Sequence, residues 1–335
     1  MANAVVRDAR ALTTVAAPAD ANWTEGKRTV AGRNGKVPTI SVVMPVYNTE
    51  AFLAPAIESI LKQTYADFEF IILDDGSTDR SVSITQQFAE TDDRIRFFPL
   101  EHRGYVNLLR RGLNHCRGEY VARMDSDDIS MPDRFEKQMA FLREHPEVVA
   151  VGSRVVLIDP YGSRVEKPAH KTEHAEIETE LLAGVGWALV HPTVLMRREP
   201  LMRVGGYRED LAVSEDLDLF LRLAEVGKLA NLPDVLLQYR QHLGSVNYTK
   251  YEQQKAVKRQ IVSDAYKRRG LTMPANWAFR ERKLLPHPEQ YRRWGWAALR
   301  SGNLGVARKH AWSAMRQAPL QMDTWRLTAC VIRGR

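Results

Sequence analysis

Three carboxylates follow an apolar, strand-like run in residues 120–128, YVARMDSDD. Like charges as close as Asp125, Asp127 and Asp128 repel one another unless protons, a cation or hydrogen bonds relieve the repulsion. Carboxylate oxygens at a strand end can hold Mg²⁺ or Mn²⁺ and leave coordination positions for a diphosphate. An Asp-x-Asp taken alone is explained equally well as a solvated acidic turn. Its place after a buried strand, beside a second acidic strand end, favours a metal site.

The sequence also lacks the usual phosphate-binding motifs. It contains neither a glycine-rich dinucleotide fingerprint nor a phosphate-loop pattern. A divalent ion that bridges a diphosphate makes it a better leaving group. We therefore predict Mn²⁺ or Mg²⁺ as the cofactor.

The acidic residues end a regular alternation of strands and helices. Three segments with helical spacing, the second beginning at Ser77 or Thr78, separate four apolar runs: TISVVMPVY, FEFIILD, RIRFFPL and EYVARMD. This alternation predicts an α/β fold whose central sheet is mainly parallel and flanked by helices. Ligands bind beyond the carboxyl ends of such strands. Polar residues follow three of the strands there: Tyr47-Asn48, Asp74-Asp75-Gly76 and Asp125-Ser126-Asp127.

Further elements follow the acidic residues. The pattern predicts strands at 148–159 and 187–198 and helices at 171–182 and 214–227. Glu215 and Asp216 fall in the first turn of the last helix, where the helix dipole favours negative charge. That position alone explains their charge without any catalytic role.

The C-terminal part differs in charge from the rest. Residues 257–335 contain 17 Lys and Arg against 4 Asp and Glu, a net charge of +13, so the first 256 residues carry −6. The pattern predicts a helix at 251–269 and a helical hairpin at 291–326 that turns at Gly302-Asn303. We predict a mobile arm at 1–37, a catalytic domain at 38–250 and a basic helical extension at 251–335.

Two long stretches together closely resemble glycosyltransferase family 2. They are SVVMPVYNTEAFLAPAIESILKQTYADFEFIILDDGSTDRS and RGEYVARMDSDDISMPDRFEKQ, and the resemblance extends over about residues 39–247. It implies a GT-A fold, with a Rossmann-like nucleotide-binding half, and transfer of a sugar from a nucleotide donor with inversion. It also implies an acceptor of the bacterial polysaccharide or lipid-linked glycan type.

The resemblance assigns roles to residues that match the family motifs. For the donor, it implies binding by Pro45, Val46, Tyr47, Asn48, Asp74, Asp75, Gly76, Ser77, Asp125 and Ser126. Asp127 would bind the metal, with Asp125 and His242 of YRQHLGSVN close to it. Asp216 of SEDLD would be the catalytic base, with Glu215 as the neighbouring alternative. Arg123 would contact the donor or balance charge, and His191 would touch the acceptor or be structural.

Other functions remain open from the residues alone. A metal-dependent nucleotidyltransferase or phosphatase can also use an Asp pair. A nucleotidyltransferase would more often have a glycine-rich loop near its first strand, and this sequence has none there. A phosphatase with an Asp nucleophile would have its Asp pair after the first strand, where this sequence has MPVYN. A non-catalytic sugar-nucleotide-binding protein would more often have lost the base or the metal Asp.

The basic extension has three interpretations: nucleic-acid binding, membrane binding and a solvated helical face. Five of the seven tryptophans interleave with its charge: Trp277, Trp294, Trp296, Trp312 and Trp325. Basic residues with interfacial tryptophans favour an anionic membrane surface over nucleic acid. The same tryptophans would equally fit burial against the catalytic domain. With two distant cysteines and no secretory signal, we expect a cytoplasmic protein, peripheral on the inner face of the membrane.

Overall fold

The computed structural model describes residues 37–245, 249–278 and 285–334. The strands are β1 Ile40–Val46, β2 Phe68–Asp74, β3 Ile95–Pro99, β4 Tyr120–Arg123, β5 Ile129–Ser130, β6 Val148–Ile158, β7 Arg164–Glu166, β8 Leu195–Arg197 and β9 Lys228–Arg240. The helices are α1 Leu53–Leu61, α2 Ser81–Thr91, α3 Tyr105–His115, α4 Arg134–Glu144, α5 His174–Leu182, α6 Arg198–Arg203, α7 Glu215–Leu223, α8 Tyr251–Arg268, α9 His287–Arg300, α10 Leu304–Gln317 and α11 Met322–Arg333. The predicted mobile arm lies outside the described residues except for Val37, as do residues 246–247 at the end of the family resemblance.

The first half of the sheet is parallel, as predicted. The strand order is β3-β2-β1-β4-β8-β6-β9-β5, with β7 paired to β6. β1 pairs in parallel with β2 and β4, and β2 pairs in parallel with β3. Because these four strands run in one direction, their carboxyl ends and the polar residues after them meet at one edge.

The second half of the sheet is mixed. β8 runs antiparallel to both β4 and β6, β6 runs parallel to β9, and β5 runs antiparallel to β9. The long strand β9 ends at Arg240 beside the loop that carries the acidic cluster, because β5, just after that loop, pairs with it. The α/β class is confirmed, with parallel strands on one side and mixed strands on the other.

Both faces of the sheet are covered. Alternate residues of β1 point to opposite sides, so that Val43 joins one apolar cluster while Val42 and Met44 join the other. The first cluster includes residues of α3, α5, α7 and α8, and the second includes residues of α1 and α4. This sandwiching explains why β1 is an uninterrupted apolar run rather than an alternating one.

The C-terminal helices pack in two ways. α8 contributes Ile261, Val262 and Ala265 to the core cluster that contains α7. α9, α10 and α11 surround a small core of their own, which includes Ala307 and Leu327. The predicted hairpin is confirmed as α9 and α10, and α11 adds a third helix to it.

Two predicted elements are wrong in detail. α2 begins at Ser81 rather than at Ser77 or Thr78, because the backbone N–H of Ser77 donates to Asp74 Oδ1 and that of Thr78 to Asn48 Oδ1. The strand predicted at 187–198 shrinks to Leu195–Arg197, after two 3-10 turns at Gly186–Ala188 and His191–Thr193. The second turn contains Pro192, which has no N–H to donate to a sheet ladder.

Candidate active site

The acidic cluster lies in the loop between β4 and β5. Asp125, Asp127 and Asp128 each place a carboxylate oxygen so that all three lie within 4.8 Å of one another. Asp128 is buried, and its Oδ1 accepts from the backbone N–H of Arg240 at 2.7 Å. Its other oxygen, Oδ2, is buried and has no hydrogen-bond partner among the residues that the structure describes. One position in the cluster is therefore polar, dehydrated and unsatisfied.

The cluster is electrostatically strained. Burial raises the pKa of Asp128 well above its usual range, and the charges of Asp127 and Asp125 add to the effect. Burial also raises the pKa of Asp125, against the opposing influence of Arg123. A cation placed among these oxygens would counter the repulsion that adds to the effect of burial on both pKa values.

His242 follows β9 and reaches the same cluster. Its Nε2 lies 2.9 Å from Asp127 Oδ2, and its ring packs at 5.1 Å from the ring of Phe52. The sequence places these two polar residues far apart, and the end of β9 brings them together.

The loop after β2 carries two aspartates with different surroundings. Asp75 accepts from the backbone N–H groups of Arg103 and Gly104 at 2.8 and 2.9 Å, and its Oδ2 lies 2.8 Å from His102 Nδ1. Asp74 accepts from Ser77 N through Oδ1 alone. Its buried Oδ2 has no hydrogen-bond partner in the described part of the chain. Asp75 therefore fixes the 102–104 loop, while Asp74 keeps one buried acceptor atom that no described residue uses.

The loop after β1 is tied to the loop after β2. Asn48, with a φ of 49°, donates its backbone N–H to Ser77 Oγ at 2.9 Å. The N–H of Asp75 donates to Val46 O at 2.9 Å, directly after Pro45 in β1. Gly76 has a φ of 74°, and a Cβ there would lie 3.0 Å from the backbone nitrogen of His102. This turn therefore requires glycine.

An aromatic side chain lies above these loops. Tyr47 is half exposed, and its ring stacks on that of His102 with centroids 4.6 Å apart. The predicted donor-binding residues of β1 and β2 thus form one rim beside the acidic cluster.

Arg123, the last residue of β4, lies buried beneath the cluster. Its guanidinium contacts Asp125, the hydroxyl of Tyr105 and the carbonyl of Met124. The next residue after Asp125, Ser126, is also buried. Of the two roles predicted for Arg123, the balancing of charge fits its burial and its contact with Asp125.

The predicted base residues begin α7. Asp216 Oδ1 accepts from the backbone N–H of Leu217 at 2.8 Å. Burial raises its pKa, whereas that bond and the charge of Lys258 in α8 act to lower it. The charge of Asp216 in turn acts on Asp125, so α7 faces the acidic cluster.

Glu215 lies deeper than its neighbour. Burial and the charge of Asp216 raise the pKa of Glu215 to about 8, so this carboxyl is mainly protonated at pH 7. Its Oε1 lies 4.0 Å from His191 Nδ1. Ser214, which precedes it, has a φ of 59°.

His191 is buried behind Glu215. Its Nε2 lies 2.7 Å from the hydroxyl of Tyr207, and its ring packs edge-on against Phe220. Burial and the charge of Arg123 lower its pKa well below the usual range, so the imidazole is neutral. These contacts resemble those of a structural histidine more than those of a surface that meets an acceptor.

Comparison with known proteins identifies the family. The family model described as "Glycosyl transferase family 2" matches residues 41–205. The putative glycosyltransferase EpsE of Bacillus subtilis is 34% identical over 240 residues, which cover 70% of this chain and 77% of that protein. The chain belongs to glycosyltransferase family 2. The prediction made from the sequence motifs is confirmed.

Two further similarities extend the comparison. The amylovoran biosynthesis glycosyltransferase AmsE of Erwinia amylovora is 33% identical over 212 residues, covering 62% of this chain and 78% of that protein. The mannosyltransferase PcManGT of Pyrobaculum calidifontis, solved with GDP-Man and Mn²⁺, matches with a TM-score of 0.51 at 20% identity, covering 88% of this chain and 79% of that one. The structural match supports the GT-A fold predicted for this family 2 enzyme.

Several residues of this candidate site carry no specific sequence signal. Three of them are Tyr105 in α3, Tyr207 in the loop that precedes α7, and Lys258 in α8. Arg240 was detectable in principle, because it lies two residues before His242 in the late motif. Asp128 was visible as the third carboxylate of the cluster, but its burial and its bond to Arg240 appear only in the structure.

Proposed function

We propose that this family 2 enzyme is an inverting, divalent-metal-dependent glycosyltransferase. It would move a sugar from a nucleoside diphosphate to a hydroxyl group of a glycan or lipid-linked acceptor. The observation that carries the proposal is the position of Arg123, which contacts Asp125 and whose charge also acts on Glu215 and Asp216. Asp125, which would help to hold the leaving diphosphate, and Asp216, which would activate the acceptor, thus both lie near the buried guanidinium of Arg123.

The residues of the acidic cluster fit a divalent metal ion. Their ligand atoms are carboxylate oxygens, which suit Mn²⁺ and Mg²⁺, and the buried Asp128 Oδ2, which has no partner among the described residues, adds uncompensated negative charge beside them. We assign Asp127 and Asp125 as ligands, with Asp128 beside them and His242 in reach of the ion or the diphosphate. When bound, the ion would neutralise charge on the diphosphate and so improve it as a leaving group.

The donor nucleotide would bind along the rim formed by the loops after β1 and β2. Asp74 is the better candidate for accepting a hydrogen bond from the base, because its buried Oδ2 has no partner among the described residues, whereas Asp75 holds the 102–104 loop. The half-exposed ring of Tyr47 offers a face on which the base could stack. Pro45, Val46, Asn48, Gly76 and Ser77 would shape this rim through their backbone, and Ser126 would line it beside Asp125.

Asp216 would be the catalytic base. A sugar hydroxyl is a weak nucleophile at neutral pH, and a carboxylate within hydrogen-bond reach can take its proton as the new bond forms. Glu215 is mainly protonated at pH 7 and cannot accept that proton in this form. Burial raises the pKa of Asp216, and the Leu217 N–H and the charge of Lys258 act against this by favouring the carboxylate. His191 would support Glu215 rather than meet the acceptor.

The arrangement favours inversion. A single displacement needs one base on the acceptor side and a stabilised leaving group on the opposite side of the anomeric carbon. Asp216 would supply the first and the acidic cluster the second, without a second carboxylate acting as nucleophile. The name of the similar AmsE protein, which refers to amylovoran biosynthesis, supports a role in polysaccharide synthesis.

Donor specificity tests this proposal directly. Purified protein should be screened against a panel of UDP-, GDP- and dTDP-sugars with Mn²⁺ or Mg²⁺, and released nucleoside diphosphate measured with and without a chelator. At least one donor should be turned over only with the metal. Turnover that releases pyrophosphate from a nucleoside triphosphate and a sugar phosphate would instead support the nucleotidyltransferase. Donor binding without turnover, with every acceptor class supplied, would support the non-catalytic alternative.

We also propose that α10 and α11 rest on an anionic membrane surface at the cytoplasmic face. Three of the five C-terminal tryptophans pack inward: Trp294 is buried, Trp277 Nε1 donates to Leu182 O, and Trp296 packs against the small core of the C-terminal helices. The side chains of Trp312 and Trp325 are instead 65% and 55% exposed. Other large apolar residues of this region are also exposed: Leu320, Met322 and Ile332. Exposed tryptophans beside basic residues favour a lipid interface. None of the described helices is both long enough and apolar enough to span a membrane.

A further inference from the structure

Arg240, the last residue of β9, and His242 just after it hold the acidic cluster. Arg240 donates its backbone N–H to Asp128 Oδ1 and its Nε–H to the backbone oxygen of Asp127, both at 2.7 Å. His242 lies 2.9 Å from Asp127 Oδ2. The positions of residues 240–242 therefore determine where two of the three carboxylates lie.

The C-terminal helices contact Gln241, the residue between these two. Trp294 of α9 is fully buried, and its Nε1 donates to Gln241 Oε1 at 3.5 Å. Arg240 donates through Nη1 to the carbonyl oxygens of Asp159 and Pro160, each at 3.3 Å. Residues 159–163 form the turn between β6 and β7, and α10 contacts this turn.

His310 of α10 fixes that turn. Its Nε2 lies 2.8 Å from Asp159 Oδ2, and both side chains are almost completely buried. Asp159 Oδ1 accepts from the backbone N–H groups of Tyr161 and Ser163. Both oxygens of the Asp159 carboxylate are therefore hydrogen-bonded, Oδ2 to His310 and Oδ1 to the turn itself.

Peripheral contacts hold α10 against the same turn. Asn303 donates to Ser163 Oγ at 2.8 Å, and the ammonium of Lys309 lies 4.4 Å from the ring centroid of Tyr161. The rings of Trp294 and His310 also pack together, with centroids 5.5 Å apart. Buried polar contacts, rather than apolar contacts alone, therefore fix the C-terminal helices on the catalytic domain in one register.

We propose that His310 and Trp294 are positioning residues for the divalent metal site, so that the C-terminal helices complete the catalytic machinery from outside it. His310 acts through Asp159 and Arg240, and Trp294 acts through Gln241, which lies between Arg240 and His242. This inference rests on the metal site of the proposed function. A helical extension that served only for attachment would not need buried polar contacts aimed at residues 240–242.

Mn²⁺ binding to the full-length protein tests this role without any turnover. The free Mn²⁺ signal in electron paramagnetic resonance gives the affinity for Mn²⁺ alone. We expect His310→Asn to weaken binding about tenfold, the lower end of the effect of groups that support metal ligands. His310→Gln should bind nearly as wild type does, because its amide can still donate to Asp159. Trp294→Phe should weaken binding by a smaller factor. The exposed residue His287 supplies matched controls as His287→Asn and His287→Gln.

Hydrogen exchange of the metal-free protein gives a second readout. The Arg240 amide, which donates to Asp128, should exchange faster in His310→Asn and in Trp294→Phe than in the controls. If His310→Asn does not fold, Trp294→Phe tests the inference instead, because it keeps a six-membered aromatic ring and removes only the indole N–H and the five-membered ring.

The outcomes separate the inference from the proposal beneath it. Equal Mn²⁺ binding by wild type and Asp127→Asn would overturn the metal assignment and this inference with it. Weakened binding in Asp127→Asn, with wild-type affinity and exchange in folded His310→Asn and Trp294→Phe, would overturn the inference alone.

Discussion

His242 Nε2 lies 2.9 Å from Asp127 Oδ2, although 115 positions separate the two residues in the chain. β9 delivers the histidine, and the loop after β4 delivers the aspartate. The contact joins the two residues that the family resemblance independently linked to the metal. It also indicates that the C-terminal end of β9 is part of the site.

The first prediction concerns the metal. Asp127→Asn removes a charged ligand atom from a cluster of three, so transfer should fall at least about a hundredfold while the fold persists. A chelator should abolish wild-type transfer, and Mn²⁺ or Mg²⁺ should restore it. Asp323→Asn, on the exposed start of α11, is the control and should behave as wild type. Undiminished transfer by Asp127→Asn in chelator would contradict the assignment.

A second prediction separates the two acidic residues of α7. Asp216→Asn should lower turnover by about two to four orders of magnitude, the usual scale for a lost general base, with donor affinity nearly unchanged. Glu215→Gln should lower it far less, because the wild-type carboxyl is already mainly neutral at pH 7. Steady-state kinetics and donor titration measure both. The opposite ranking of the two variants would give the role to Glu215.

The third prediction is a pH dependence of stability. The pKa of Glu215 is about 8 in the folded protein, against an ordinary value of 4.5. The folded state therefore binds more protons than the unfolded state between these values, and its stability falls as pH rises through that window. One such group contributes a slope of at most about 1.4 kcal/mol per pH unit.

Thermal or urea unfolding of wild type and Glu215→Gln at several pH values measures this slope. The wild type should lose stability relative to the variant between about pH 5 and pH 8, and the difference should level off above that range. A constant difference across the range would show that Glu215 titrates normally.

The fourth prediction distinguishes the aspartates of the loop after β2. Asp75→Asn disrupts bonds from two backbone N–H groups and His102, so it should cost about 1–3 kcal/mol of unfolding free energy. Asp74→Asn should mainly weaken nucleotide binding, because Asp74 keeps an acceptor atom for the ligand. Calorimetric titration with UDP and GDP, alongside thermal unfolding, tests both. If Asp74→Asn and Asp75→Asn are equally stable and lose nucleotide binding equally, the two aspartates do not have different roles.

The fifth prediction concerns membrane attachment. Trp312→Ser combined with Trp325→Ser should reduce sedimentation with anionic vesicles, since both side chains are exposed. Neutral vesicles should capture little protein, and salt should weaken capture, because each Lys or Arg near the surface contributes about 1 kcal/mol. Substitution is preferable to truncation near Lys250, which would remove Ile261 and Val262 from the core. If the double variant sediments as wild type does, these tryptophans are not the contact.

The local pattern predicted the N-terminal half of the fold well. Parallel β strands buried on both faces give continuous apolar runs, and the helices between them keep a strong 3.6-residue period. The secondary structure of the mixed half of the sheet was less predictable from the sequence. Residues 187–198 are apolar because they are buried, and burial alone does not distinguish a strand from the 3-10 turns around Pro192.

The sequence by itself determined the family, the α/β class and the identity of the charged groups, because these depend on residue types at short, ordered spacings. Only the tertiary structure decided how those groups differ from one another. Burial makes Glu215 neutral beside Asp216, and backbone N–H groups occupy Asp75 but leave Asp74 Oδ2 available. His310 reaches the acidic cluster through Asp159 and Arg240. Dehydration, hydrogen bonding and long-range contacts arise only once distant segments pack together, and no local spacing in the chain encodes them.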